Sequence, residues 1–286
     1  MVIDKPSGWT SHDVVGKCRR IVGQKRIGHA GTLDPGATGV LLVGLGRATR
    51  LMQYVSELPK TYVGEVVLGT TTNTLDDEGE ITGTFDMPHV AFDDVQRATK
   101  DFVGPIMQVP PMVSALKIDG KRLHELAREG IEVERKARPV TVFRYDVEPT
   151  AETHVFRISV DCSSGTYIRT LAADLGEALG GGAHLRRLRR TAIGPFNIEN
   201  AVSIETLEEA WQPHVLSAAD MVGHIERVVA SPDAQEAIRF GRPLSIETAG
   251  VSGTGRRAMV DEHGLLLGLY EIEGERLIPL VVLAAK

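Results

Sequence analysis

Apolar positions along this chain change their period from one segment to the next, and the period predicts the elements. In TSHDVVGKCRRIVG, residues 10–23, Val14, Cys18, Ile21 and Val22 fall on one face at helical spacing while the arginines point away. Thr10 or Ser11 can cap its first turn, so a helix is predicted there. The segment TYVGEVVLG, residues 61–69, is β-branched and aromatic. In HVFRISVDCSSG, Phe156, Ile158 and Val160 alternate with Val155, Arg157, Ser159 and Asp161. Both segments predict strands. After the second strand, Ile168, Leu171, Ala172, Leu175 and Leu179 form a helical stripe that ends in three glycines. A turn at Ser164 and Gly165 joins that strand to that helix.

Between the two strands the pattern weakens. Residues Lys121 to Arg138 hold six Lys/Arg and four Glu around a short helical stripe, which predicts a mobile excursion over 117–138. Beyond the acidic stretch from Ser203 to Ser231, IRFGRPL and RRAMVDEHGLLLGLYEIEGERLIPLVVL read as short strands with turns. With 286 residues and 42% hydrophobic content, the chain suits one large domain, 1–223, followed by a small β-rich one, 224–286.

Charge narrows the function classes. A net charge of −6 and a pI near 5.9 exclude a general nucleic-acid coating protein. The average nonetheless hides basic clusters: four arginines in HLRRLRR, residues 184–190, KCRR with QKR within 17–26, and ERKAR at 134–138. Acid gathers elsewhere, in DDEGE and IETLEEA, so one face of the protein is expected to be basic. Cys18 and Cys162 have no ligand or disulfide spacing and are expected in the core. No run of eighteen apolar residues occurs and the amino terminus lacks a secretory pattern, so a cytoplasmic protein without a membrane span is expected.

RIGHAGTLDPGATGVLLVGLG, residues 26–46, places one carboxylate, Asp34, in a loop of glycine, small residues and proline ahead of the apolar run Val40 to Val43. Asp-Pro opens turns, so local evidence leaves Asp34 either a turn residue or a functional carboxylate. The glycines are not a phosphate-binding P-loop, because no GK[ST] follows them.

DKPSGWTSHDVV, GHAGTLDPGATGVLLVGLGRATR, KTYVGEVVLGTTTNTLDDEGE, VPPMVSALKIDGKRLHELAREG and CSSGTYIRTLAADLGEALGGGAHLRRLRRTAIGPF resemble, in order and spacing, the TruB family of bacterial tRNA pseudouridine-55 synthases. The resemblance covers most of residues 2–205. The final sixty or so residues resemble, more weakly, a PUA-like RNA-binding domain.

This resemblance implies an α+β fold with a mixed, largely antiparallel sheet, flanking helices and a cleft across the sheet. It implies isomerisation of uridine to pseudouridine at position 55 in the tRNA T-loop, with no metal, no organic cofactor and no obligatory protein partner. Asp34 matches the family's catalytic aspartate, amid small residues that let a flipped nucleotide approach. Arg169 matches an arginine that pairs with that carboxylate, and Tyr62 a tyrosine that stacks on the base and helps move its proton. His29 matches a histidine that occupies the space the target leaves in the RNA. Tyr167 and Leu188 match uracil-pocket positions, and Lys5 a residue near the site. Residues 117–138 resemble a thumb that closes over the RNA, and Arg186 and Arg187, with the rest of their cluster, are expected to meet phosphate. A pseudouridine synthase with another uridine target stands as the alternative. A noncatalytic RNA-binding or chaperone protein is disfavoured, because binding alone does not require Asp34, Tyr62 and Arg169 together.

Overall fold

The structure, a computed structural model, describes residues 1–114, 117, 118, 121–123, 129, 131 and 133–283. Strand β1 (Val2–Lys5) leads into helix α1 (Ser11–Val22). Thr10 caps α1 reciprocally: its hydroxyl accepts from the Asp13 N–H at 3.0 Å, and the Asp13 carboxylate accepts from the Thr10 N–H at 2.8 Å. Val14, Val15 and Cys18 are buried on the inner face, and Gly23 ends the helix in the left-handed region at φ 69°. β2 (Ile27–Ala30) and β3 (Thr38–Leu45) bracket the glycine-rich loop. Then come α2 (Met52–Ser56), β4 (Lys60–Leu68), a hairpin of β5 (Thr70–Thr72) and β6 (Ile81–Thr84), α3 (Phe92–Asp101) and β7 (Gly104–Gln108).

A short hairpin, β8 (Lys117–Ile118) and β9 (Lys121–Arg122), opens the segment expected to be a mobile thumb. Residues 119, 120, 124–128, 130 and 132 of that segment lie outside the described residues. β10 (Arg138–Pro149), β11 (Val155–Cys162), α4 (Ile168–Ala178), β12 (Ala183–Ile193) and β13 (Phe196–Asn197) follow.

The large sheet has nine strands, in the order β1-β3-β12-β4-β11-β10-β7, with β2 on β3 and β13 on β12. All its pairings are antiparallel except β12 on β3, which is parallel. The sheet is therefore mixed and largely antiparallel, as the family resemblance implies. Gly39 makes the parallel contact possible: at φ 103°, a Cβ there would lie 2.1 Å from the Arg190 carbonyl oxygen. In β4 every second residue, Lys60, Tyr62, Gly64, Val66 and Leu68, faces inward. The stripe predicted on α4 packs there, with Ile168, Leu171, Ala172 and Leu175 in one apolar cluster with Val66, Ile158 and Leu185. Each large aliphatic so buried contributes roughly 1.5–3 kcal/mol.

A second, five-stranded sheet is built from β14 (Arg227–Val229), β15 (Leu244–Ser245), β16 (Gly255–Val260), β17 (Leu266–Glu273) and β18 (Arg276–Val282), in the order β14-β16-β17-β18-β15. Its apolar face is not closed on itself. Ala258, Val260, Leu266, Leu269 and Val281 share a cluster with Leu51, Met52, Tyr54 and Val55 of the larger unit. Met221, Val222 and Ile225, on both sides of the boundary expected near His224, lie in the same cluster. Arg50 donates to the Val282 carbonyl at 2.9 Å, and Arg256 pairs with Glu57 at 2.6 Å while lying 4.8 Å over the Tyr54 ring. Among the described residues no helix is long and apolar enough to cross a membrane.

Candidate active site

The loop between β2 and β3 is held from below before any ligand arrives. The Leu33 N–H donates to Ser11 Oγ at 2.9 Å, and the same hydroxyl donates to the Leu33 carbonyl at 3.2 Å. Lys5 is fully buried, and its ammonium donates to the carbonyls of Pro6, Trp9 and Pro35 at 2.9, 2.6 and 3.0 Å. Loss of water pulls Lys5 down to about 8, with Asp34 and Glu78 opposing that fall. The Ala37 N–H donates to the Asp34 carbonyl at 3.2 Å. Asp34 thus opens a turn with its backbone, as one of the two readings expects, while its side chain turns away from that turn.

That carboxylate meets Arg169. Asp34 Oδ2 lies 2.9 Å from Arg169 Nη2, and Asp76 Oδ2 lies 3.4 Å from Nη1. The guanidinium also donates to the carbonyls of Thr74 at 2.9 Å and Val113 at 2.8 Å. The Arg169 side chain is only 5% exposed, whereas that of Asp34 is 39% exposed. Arginine is anchored and aspartate faces the opening. Burial pushes the Asp34 carboxyl above the ordinary carboxylate range, Arg169 pulls it back, and Asp76 adds to the rise. Arg169 is the second residue of α4, and the turn before that helix is clamped by Gln108. Gln108 accepts from the Tyr167 N–H at 2.7 Å and donates to the Tyr167 carbonyl at 3.0 Å.

Asp34, Tyr62, Tyr167, Arg169 and Leu188 line one cleft of about 300 Å³, together with Lys60 and Arg190. Tyr62 arrives there because β4 alternates. Leu188 arrives because β12 does not: its pairing with β4 slips between Arg186 and Arg189, and Arg187 adopts φ 55°. Aromatic, apolar and ionic groups then surround a space suited to a flat polar ring.

His29 and Lys5 do not line this cleft. Lys5 lies beneath the loop, where its contact with Pro35 steadies the residue after Asp34. His29 stands on β2, edge-on to His12 at 5.3 Å. Its Nδ1 is buried without a partner among the described residues, and burial pulls the ring down to about 4, aided by His12 and Arg190.

The arginine cluster is a strand, and its partners are internal. Arg186 pairs with Glu65 at 2.7 Å and Glu152 at 2.8 Å, Arg187 with Glu65 at 3.2 Å, and Arg189 with Asp4 at 2.7 Å. Arg187, 67% exposed, reaches furthest into solvent. The expectation that all four arginines meet phosphate fails for Arg190, which is 1% exposed and donates to the carbonyls of Val40 at 2.8 Å and Gly31 at 2.9 Å. The slipped register of β12 turns it inward, which a count of charges cannot reveal.

Asp76, Gln108 and Lys60 are not singled out by the sequence, and Arg190 is expected at phosphate rather than in the cleft wall. Asp76 lies in the acidic run TLDDEGE, visible as charge but with no spacing that ties it to Arg169. Among the described residues no group of three or more His, Cys, Asp or Glu is arranged to hold a metal ion.

Comparison with known proteins accounts for this cleft on a mixed sheet. Residues 19–168 match the model of the TruB family pseudouridylate synthase N-terminal domain, and residues 169–230 that of the tRNA pseudouridylate synthase B C-terminal domain. The chain belongs to the TruB family of pseudouridylate synthases, enzymes that isomerise uridine to pseudouridine. It is 45% identical to tRNA pseudouridine synthase B of Corynebacterium diphtheriae over 99% of this chain and 95% of that protein. It is 44% identical to the protein of the same name from Mycobacterium ulcerans, over 99% and 94%. Among solved structures, a chain of a Cbf5-Nop10-Gar1 complex superposes with a TM-score of 0.78 at 27% identity, covering 100% of this chain and 84% of that one. A chain of an H/ACA RNP bound to a substrate RNA containing 2′-deoxyuridine gives 0.74 at 25% identity, covering 99% and 84%.

Proposed function

We propose that the uridine this enzyme isomerises is position 55 in the T-loop of tRNA, with Asp34 as the covalent catalyst. The observation that carries this reading is the Asp34–Arg169 pair at 2.9 Å in the wall of a cleft shared with Tyr62, Tyr167 and Leu188. Arg169 keeps the carboxylate ionised and aimed, so that it can attack the flipped nucleotide. Tyr62 stacks on the base and takes part in moving its proton, Tyr167 and Leu188 enclose the ring, and Lys5 supports the loop. His29 occupies the space that the target leaves in the RNA. Arg186 and Arg187 meet backbone phosphate by exchanging their carboxylate partners for it. Residues 1–223 form the catalytic domain and 224–286 a PUA-like domain that binds RNA, in a cytoplasmic enzyme that needs neither metal nor organic cofactor. The test is nucleotide-resolution mapping of pseudouridine in an unmodified tRNA transcript after incubation with the purified enzyme. Modification at position 55 is expected. Modification of a different uridine alone would transfer the reading to another RNA target.

A further inference from the structure

Arg190 raises a question that its neighbours on β12 do not. Its side chain is buried, it donates to the carbonyls of Val40 and Gly31, and no carboxylate pairs with it among the described residues. A buried cation without a counter-charge is costly, and carbonyl dipoles offset that cost only in part. Arg186, Arg187 and Arg189 each have an acid. The pairing register sets Arg190 directly opposite Tyr62 on β4, and both residues line the cleft.

We propose that Arg190 is a positioning residue for Tyr62: set opposite it in the cleft wall, it supplies the positive charge that makes a Tyr62 phenolate accessible. The cleft that Tyr62 lines gives its phenol proton a way out to solvent. Once that proton has left to solvent, the phenolate is held next to a fixed cation in a poorly hydrated site.

The reaction has a step that uses such a group. When the ring has been rejoined through carbon 5, the C5–H bond must break; its proton passes to the phenolate oxygen, its electron pair forms the C5–C6 double bond, and the C6–N1 π pair that this displaces goes to N1, which takes up a proton from solvent. Burial raises Tyr62 above the ordinary phenol range, and Arg190 is the largest influence acting against that rise. The other groups facing Tyr62 do not supply this charge. Cys162 on β11 is pushed up to about 11 by burial and stays a thiol at neutral pH, and Asp34 is an acid. Lys60, two residues back on β4, spends its ammonium on the carbonyls of Ser56 and Leu58 at 2.5 and 2.7 Å.

This inference rests on the reading of Tyr62 as a proton carrier, but its test needs no RNA. Tyr62 is replaced by 3,5-difluorotyrosine, whose phenol ionises near neutral pH, and the intact enzyme is titrated by fluorine NMR. A second sample carries the probe at Tyr145, which is equally enclosed and whose hydroxyl has no partner among the described residues. The probe at 62 is expected to ionise at least tenfold more readily than the probe at 145. Arg190→Gln, which keeps a donor but no charge, is expected to weaken ionisation at 62 at least tenfold, while Arg190→Lys retains most of it. Equal midpoints at 62 and 145 in the parent enzyme overturn the proposal even if Arg190→Gln does not fold. An unmoved midpoint in a folded Arg190→Gln protein overturns it as well. Pseudouridine formation by the unsubstituted enzyme is read separately, so either idea can fail alone.

Discussion

Replacing Asp34 with asparagine separates its chemical role from its structural one. Asparagine is nearly isosteric, keeps the turn whose Ala37 N–H donates to the residue-34 carbonyl, and can still accept from Arg169. Removing one member of a buried ion pair typically costs about 3–5 kcal/mol, because the other charge is left uncompensated. Here the loss is smaller for two reasons. Arg169 retains Asp76 at 3.4 Å and two carbonyl acceptors, and the Asp34 side chain is 39% exposed, so water already screens part of the pair. A stability loss of about 1–2 kcal/mol follows, a few degrees in Tm for a chain of this size. The chemical loss is far larger. An amide is neutral and a poor nucleophile, so the covalent step should fall by at least roughly a thousandfold, about 4 kcal/mol of barrier. Single-turnover assays at saturating enzyme isolate that step from binding, and thermal melting measures the structural cost. An Asp34→Asn enzyme that modified tRNA within about tenfold of the parent rate would reduce Asp34 to a turn residue and refute the proposed chemistry.

Arg169→Met is expected to do the reverse, costing about 3–5 kcal/mol of stability by denaturant unfolding, because it strands the Thr74 and Val113 carbonyls and leaves Asp34 and Asp76 without their cation. It should also move the ionisation of Asp34 further upward, which an alkaline displacement of the rate profile would report; an undisplaced profile would deny Arg169 its electrostatic role. Arg187→Ala should lower the slope of log affinity against log salt by about 0.7–0.9, and Arg186→Ala, held between Glu65 and Glu152, by less; unchanged slopes in both would return the pair to internal ion pairing. Burial lowers Lys60 from 10.5 to about 8, so below pH 8 both folded and unfolded chains carry its proton and the fold bears the full penalty. Between pH 8 and 10.5 the unfolded chain alone keeps that proton, so stability relative to Lys60→Met should rise across this window by roughly 3 kcal/mol at 1.36 kcal/mol per unit. A difference in unfolding free energy that stayed flat there would refute the lowered ionisation.

The elements were legible because their signals are local. Thr10 and Asp13 sit three residues apart and cap α1 without help, and the stripe on α4 and the alternation of β11 repeat at periods any window exposes. The resemblance then pointed to Asp34, Tyr62 and Arg169, which no period or charge count could have linked.

Tertiary structure alone decided who faces whom. Asp76 joins Arg169 only because the β5–β6 hairpin brings it beside the start of α4, and Gln108 reaches Tyr167 from a strand at the far edge of the sheet. HLRRLRR looked like one basic face, yet a bulge at Arg187 sends Leu188 to the cleft, ties Arg186 to Glu65 and Glu152, and seals Arg190 against Val40 and Gly31. Charge along a sequence counts groups but not directions. Direction on a strand is set by pairing register, and one slipped residue exchanges core for surface. The same limit hid the shared core beneath Tyr54, because which apolar faces meet depends on how two sheets pack and not on the period of either.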